Sequence, residues 1–352
     1  MAPGDRPTHL PSRWLRLALL CAALPLAAIA LTPPAGLAHA AQRADRLTVN
    51  AMEYPWSAIG RVNAGGRGHC TGFLIGERSV MTAAHCLYDP REGRWRGAEE
   101  VHFIAGYQRD AFVIHSKVTG YVRSSGFRAG STATPQNAVS DWAILTLSEP
   151  IGRKAGWLGL RRLDRGLRAK VRGGQANLMQ AGYSEGRTHV LSVNFGCDLA
   201  GDFQNGLGIA HGCAVQRGDS GSPLLILTDG QVQAVGIHVL NGKGAKGYIA
   251  GALSVGLFHP KEGKRQAVKA VRPAGDIWGR GHLPNRGSPA ASVPLRTIDR
   301  LLGELGHLAP GTVETNGTAR RTAIAAFESD SGLPVTGEAS LALLDRLVQA
   351  LR

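Results

Sequence analysis

A serine lies between glycines at residues 218–223, in the segment Gly-Asp-Ser-Gly-Ser-Pro. A serine hydroxyl is a weak nucleophile at neutral pH, and it needs a neighbouring base that a third group orients. Side chains of the required types are His85, within Thr-Ala-Ala-His-Cys, and Asp141, at the start of Asp-Trp-Ala-Ile-Leu. Together these segments predict that Ser220 attacks a carbonyl, that His85 transfers the proton, and that Asp141 orients the imidazole.

The glycines beside Ser220 permit a backbone turn that is too tight for larger residues. Such a turn can direct the N–H groups of Gly218 and Ser220 at one point, where they would stabilise the oxyanion that forms during attack. Taken singly, the motifs have ordinary alternatives: a simple turn, a solvent-facing histidine, or an aspartate that ends a polar loop. Their agreement in residue type, chain order and small neighbouring residues favours the catalytic interpretation.

Strands are predicted to position these residues. From about Tyr54 to Phe258, short apolar runs alternate with clusters of Gly, Asn, Asp and Ser, which is typical of an all-β sandwich or barrel. We find no spacing typical of metal ligands and expect no cofactor. Residues 242–247 match the glycine pattern of dinucleotide sites, but a strand follows them where that motif requires a helix.

The pattern changes after the β-rich region. Residues 259–294 are basic and rich in glycine and proline, which predicts a linker or a long surface excursion. From Leu295 the apolar residues recur every three or four positions. We expect three short helices, starting at Leu295, Thr318 and near Ser340, that form a small bundle over residues 295–352.

The first 40 residues have the features of a secretory signal peptide: arginines, then an apolar run, then Ala-His-Ala as a cleavage site. We expect removal of this segment and no later membrane span. Of the five cysteines, the four beyond it are an even number, which in an exported protein indicates disulfides. Three pairings are possible, and proximity in sequence favours Cys70–Cys86 and Cys197–Cys213.

The whole chain carries a formal net charge of +14. A basic surface attracts anionic polymers such as cell-wall phosphates or nucleic acid. No nucleic-acid motif or basic stripe with interleaved aromatic residues accompanies the charge, so we expect no nucleic-acid partner.

Four segments resemble the trypsin-like serine peptidases of the chymotrypsin fold, most closely the secreted bacterial members that include the glutamyl endopeptidase branch. They are residues 71–75, 81–86, 141–145 and 218–223, within a similarity that covers roughly residues 50–258. The resemblance implies a mainly β peptidase domain over residues 41–258, with two six-stranded antiparallel β-barrels and a cleft between them. His85 and Asp141 would come from the first barrel and Ser220 from the second.

The chain departs from the trypsin pattern at two places, the activation sequence and Ala214, and it resembles the glutamyl endopeptidase branch at His238. The activation sequence Ile-Val-Gly-Gly is absent, so the group that pairs with Asp219, which in zymogen members is the new N-terminus, is unknown. Ala214 stands where trypsins carry the aspartate that selects Arg or Lys. His238 stands where glutamyl endopeptidases have a histidine that binds the substrate carboxylate; it could do the same, or it could form the pocket wall without binding a ligand.

Residues 318–327 and 332–338 resemble a peptidoglycan-binding-like three-helix domain. That resemblance implies docking to the cell wall, whereas the alternative is an appendage that stabilises the peptidase. The sequence as a whole predicts a secreted or periplasmic serine endopeptidase that cleaves proteins or peptides, with peptidoglycan or another anionic envelope polymer as a second partner. The competing hypothesis is a non-catalytic envelope-binding protein built on a peptidase fold.

Overall fold

The computed structural model describes residues 46–66, 68–131, 133–244, 247–259, 278–288, 291–309 and 317–352. The predicted signal peptide and most of the predicted linker lie outside these ranges. Ala44–Arg352 belong to one compact unit.

The strands of the first half are β1 (Leu47–Thr48), β2 (Ile59–Ala64), β3 (His69–Leu74), β4 (Ser79–Thr82), β5 (Tyr88–Asp89), β6 (Arg94–Trp95), β7 (Val101–Ala105), β8 (Ile114–Arg123) and β9 (Ala143–Leu147). Those of the second half are β10 (Gly159–Leu160), β11 (Asn177–Gly182), β12 (Ser192–Asn194), β13 (Leu199–Phe203), β14 (Gly208–His211), β15 (Pro223–Thr228), β16 (Gln231–Gly244) and β17 (Gly247–Ser254). The α-helices are α1 (Pro135–Ala138), α2 (Gly152–Ala155), α3 (Arg165–Arg172), α4 (Leu295–Glu304), α5 (Thr318–Asp330) and α6 (Leu341–Ala350).

Six antiparallel strands close into a barrel in the order β2-β3-β4-β9-β8-β7. Their side chains alternate between interior and surface, as in β7, where Val101, Phe103 and Ala105 are buried and the residues between them are half-buried. This alternation follows from the two-residue period of a strand, which turns every second side chain inward. The first of the two predicted barrels is therefore confirmed.

The second half forms a nine-stranded sheet with the order β1-β12-β11-β15-β16-β17-β14-β13, with β10 paired to β16. Among the described strands, no ladder joins β1 to β13, so the second predicted six-stranded barrel is not shown as closed. The physical reason lies at one edge, where β1 and β12 have only two and three residues. Strands this short present few backbone groups with which to close the sheet.

Strand β15 is buried on both faces. Leu224 and Ile226 pack into the interior of the second sheet, whereas Leu225 and Leu227 pack into the larger core that includes the C-terminal helices. Helix α6 contacts β11, β15 and β16 and so covers this outer face. The continuously apolar sequence of β15 is explained by this covering, because a half-exposed strand would alternate with polar residues.

Helices α4, α5 and α6 lie in the three segments predicted to be helical, and the buried side chains of α5 include Ala323, Ile324 and Phe327. Polar contacts join the helices to the strands. The indole N–H of the buried Trp56 donates to the hydroxyl of Thr297 in α4 at 3.0 Å, and the amide of Asn177 in β11 donates to Asp345 in α6 at 2.9 Å. The helices thus share a core with the β region.

We expect the helices and sheets to unfold as one cooperative unit. Leu344→Ala removes a fully buried side chain of α6 and should lower the free energy of unfolding by about 2–5 kcal/mol. Urea titrations are followed by tryptophan fluorescence and by circular dichroism at 222 nm. In the wild type and in Leu344→Ala, the two probes should report the same single transition. The exposed Arg346→Ala is the matched control in the same helix, and its effect should stay within about 0.5 kcal/mol. Two separated transitions would contradict this prediction.

Part of the segment predicted as a linker lies against the β region. Trp157 and His282 form a β-bridge, and their rings stack at 4.1 Å between centroids. Trp278 forms a bridge with Leu160. No helix within the described ranges is both long and apolar enough to span a membrane.

Candidate active site

His85 lies in a short 3-10 turn, Ala84–Leu87, directly after β4. The disulfide Cys70–Cys86 attaches this turn to β3, with an S–S distance of 2.06 Å. The predicted pairing is therefore present. It also excludes a metal site formed by these two sulfurs and His85, because both sulfurs are bonded to each other rather than available as thiolates.

Asp141 precedes β9, which pairs with β4 in the register Thr82↔Ala143. His85 follows the end of β4 and Asp141 precedes the start of β9. The register of these two strands therefore brings the two side chains together. The Nδ1 atom of His85 is 2.6 Å from Oδ2 of Asp141, and the backbone N–H of His85 donates to Oδ1 at 2.9 Å. The carboxylate is buried, with 4% of the residue exposed. Its contact with Nδ1 fixes the orientation of the imidazole ring.

Burial of His85 opposes its protonation, but the charge of Asp141 and its hydrogen bond outweigh that effect. The net result is that the pKa of His85 is raised above its ordinary value of 6.5. An imidazole that gains proton affinity from a buried carboxylate is suited to accept a proton during a reaction and to return it later.

Ser220 lies in the turn before β15 and lines a cleft of about 390 Å³ together with His85, Asp141 and His238. Thr71 of β3 fixes this turn against the first barrel. Its backbone N–H donates to the carbonyl of Ser220 at 2.9 Å, and its hydroxyl donates to the carbonyl of Gly218 at 2.9 Å. Sequence reasoning missed Thr71, because nothing in its local motif indicates a contact with a residue so distant in the chain.

Glycine is required on both sides of the Ser220 turn. Gly218 has φ of +89°, and a Cβ there would collide with the carbonyl oxygen of Tyr183. Gly221 has φ of +81°, and a Cβ there would collide with Thr82. Among the described residues, none accepts a hydrogen bond from the N–H of Gly218 or Ser220. The turn therefore leaves two amide donors available beside the serine.

Asp219, between these two donors, is fully buried and faces Arg46. The guanidinium Nη1 lies 2.5 Å from Oδ2 of Asp219. The same carboxylate oxygen accepts the backbone N–H of Gln216 at 2.9 Å. The partner of Asp219 that the sequence left unknown is thus an arginine side chain. No signal in the sequence singled out Arg46, because it is one of 40 basic residues and lies outside every motif.

His238 of β16 is held against the serine turn by two backbone hydrogen bonds, from Gly221 N–H to its carbonyl and from its own N–H to Ser222, both 2.8 Å. Burial, only partly offset by the charge of Asp219, lowers the pKa of His238 to about 4. His211 lies behind it, with 5.8 Å between the ring centroids. Burial and the neighbouring His238 lower the pKa of His211 well below its ordinary value. His211 is a third residue that the sequence did not indicate.

The family model for trypsin matches residues 46–260, more than half of the 352 residues, and this range contains His85, Asp141 and Ser220. The chain belongs to the trypsin family. Over 117 residues it is 37% identical to a glutamyl endopeptidase of Bacillus licheniformis, a match that covers 33% of this chain and 34% of that protein. Over 190 residues it is 26% identical to serine protease 23 of Bos taurus, covering 50% of this chain and 47% of that protein.

The chain thus spans half or less of the length of these curated relatives. A solved structure of a Glu endopeptidase in complex with MPD is also similar. It has a TM-score of 0.47 and 20% identity, and the match covers 59% of this chain and 90% of that one.

In this trypsin-family chain, the two predicted pocket residues lie in different surroundings. His238 lines the cleft with Ser220. Ala214 is exposed, and the described residues that line the cleft do not include it. Its carbonyl accepts hydrogen bonds from Arg46 and Asn194 at 3.3 and 3.0 Å. The second predicted disulfide, Cys197–Cys213, is present and ends one residue before Ala214.

Proposed function

We propose that the protein is a serine endopeptidase that hydrolyses peptide bonds through Ser220, His85 and Asp141. The observation that carries the proposal is the 2.6 Å contact between His85 Nδ1 and the buried Asp141, in the cleft that Ser220 also lines. With Nδ1 occupied in this way, Nε2 is the nitrogen left to act on a serine hydroxyl.

The reaction would proceed in two halves. Ser220 Oγ attacks the peptide carbonyl carbon while its proton passes to Nε2 of His85, and Asp141 stays ionised beside the imidazolium. The carbonyl oxygen becomes an oxyanion that accepts hydrogen bonds from the N–H groups of Gly218 and Ser220. Collapse breaks the C–N bond as His85 gives its proton to the leaving amine. Water then attacks the acyl-enzyme by the same route and restores Ser220.

Labelling with a fluorophosphonate tests this proposal, because phosphonylation requires an activated serine. The native protein should gain one adduct at Ser220, located by peptide mass mapping, and heat-denatured protein should gain none. An unlabelled native protein would favour the competing hypothesis of a non-catalytic envelope-binding protein. The His85–Asp141 contact supports the catalytic alternative, since an inert chain has no need of a buried carboxylate at that nitrogen.

We infer that the protein acts outside the cytoplasm, in the secreted or periplasmic space, because its two disulfides suit an oxidising compartment. Docking of residues 295–352 to peptidoglycan stays a prediction from resemblance.

We further propose that the cleft prefers glutamate before the scissile bond. His238 lines the cleft beside Ser220, and Asn241 lies in the same wall. With a pKa near 4, His238 is neutral at pH 7, and a neutral imidazole can donate one N–H to a carboxylate. The similarity to a glutamyl endopeptidase supports the same preference.

Peptide p-nitroanilides that differ only in Glu, Gln or Phe before the anilide measure this preference. We expect kcat/KM for Glu to exceed that for Gln at least about tenfold, since a hydrogen bond to a charged group contributes roughly 1.5–3 kcal/mol. His238→Gln should remove most of this difference while leaving phosphonate labelling of Ser220 intact. Preference for Phe in the native protein would contradict the proposal.

A further inference from the structure

We propose that Arg46 is a positioning residue that holds the Ser220 turn in its reactive conformation through Asp219. The inference rests on the proposed function and assigns to it a residue that is distant from Ser220 in the sequence. Arg46 has only 6% of its surface exposed, which is rare for an arginine unless it is paired with an opposite charge.

The guanidinium uses all three of its nitrogens. Nη1 donates to Asp219 at 2.5 Å and to the carbonyl of Ala214 at 3.3 Å. Nη2 donates to the carbonyls of Gly182 and Ser192 at 3.3 and 2.9 Å. Nε donates to the hydroxyl of Ser192 at 3.0 Å. The planar fork of an arginine suits this divergent set of acceptors, whereas an ammonium group would reach fewer of them.

These contacts join the catalytic turn to rigid structure. Gly182 and Ser192 belong to β11 and β12, which pair with each other in the second sheet. Ala214 and Asp219 lie on the loop that leads to Ser220. Arg46 therefore links the loop to two paired strands, and its own carbonyl accepts a hydrogen bond from Arg187.

Asp219 transmits this restraint because it lies between the two residues that supply the amide donors. Its carboxylate accepts from Arg46 and from the N–H of Gln216, and it also faces Gln180 and Ser184 at 3.3 Å. A buried carboxylate without a cation must turn toward water or take up a proton. A change in the direction of the Asp219 side chain would turn the peptide planes of Gly218 and Ser220 with it.

Two substitutions test the role. Arg46→Met keeps the apolar length of the side chain and removes the charge, whereas Arg46→Lys keeps a charge that is lost at alkaline pH. Arg94→Met is the matched control, because Arg94 pairs with Glu92 and Glu100 on the exposed surface. Each purified protein is compared with the wild type in kcat, KM, pH profile and thermal melting, with the best peptide p-nitroanilide of the wild type as substrate.

For folded Arg46→Met we expect kcat to fall about 10²- to 10³-fold, as for lost oxyanion donors, with KM changed less than about threefold. Arg46→Lys should recover much of kcat at pH 7 and then lose activity at alkaline pH, where a lysine gives up its proton and an arginine does not. Arg94→Met should match the wild type.

Folded Arg46→Met with the kcat of the wild type would overturn the inference. If Arg46→Met fails to fold, Arg46→Lys decides: a pH profile that superimposes on that of the wild type overturns the inference, and an added alkaline decline in kcat supports it. A wild-type protein that neither hydrolyses peptides nor takes the phosphonate would refute the proposed function itself, and with it this role.

Discussion

Ser220→Ala should lower kcat for peptide hydrolysis by about 10⁵- to 10⁶-fold, because loss of the nucleophile disables the catalytic residues as a unit. The substitution removes one oxygen atom from a half-buried turn whose backbone is held by Thr71, so the fold should be retained. Fluorophosphonate labelling should disappear completely, and the thermal melting curve should remain close to that of the wild type.

Ser125→Ala, at an exposed serine outside the cleft, controls for the loss of a hydroxyl as such and should leave both kcat and labelling unchanged. Full labelling of Ser220→Ala would identify another serine as the nucleophile and would remove the basis for the proposed mechanism.

The second large effect is expected for Asp141→Asn, which should lower kcat by about 10⁴-fold near neutral pH. The amide has no charge to stabilise the imidazolium, and it does not hold the imidazole with its proton on Nδ1. The free energy of unfolding should change little, because asparagine has the same shape as aspartate and its oxygen can still accept a hydrogen bond from the backbone N–H of His85.

The pH profile separates this cause from a general loss of structure. In the wild type, kcat/KM should fall as pH drops through one ionisation above 6.5, because the pKa of His85 is raised and the base must be neutral. Without the charge of Asp141, burial is the main influence that remains, and it lowers the pKa. The residual activity of Asp141→Asn should therefore persist to lower pH. The exposed Asp110→Asn should reproduce the wild-type profile, and an unshifted acid limb in Asp141→Asn would contradict the assignment.

The fold was predictable where local pattern and burial agree. Alternating apolar runs predicted the strands of the first barrel, and the three-to-four-residue period from Leu295 predicted α4 to α6. The extent of pairing in the second sheet was not predictable, because closure depends on how many residues of β1 and β12 pair with neighbouring strands. The apolar run of β15 predicted a strand, but not that α6 would cover one of its faces.

For the site, the sequence by itself determined the chemical types: a serine flanked by glycines, a histidine, an aspartate, and four cysteines whose pairing it left open among three possibilities. These are local features, because a tight turn requires glycine and a nucleophile requires a base. Only the tertiary structure decided which groups surround them. Arg46 lies 173 residues before Asp219, Thr71 lies 147 residues before Gly218, and His211 lies behind the ring of His238. Such neighbours arise from strand register and burial, which no local motif encodes.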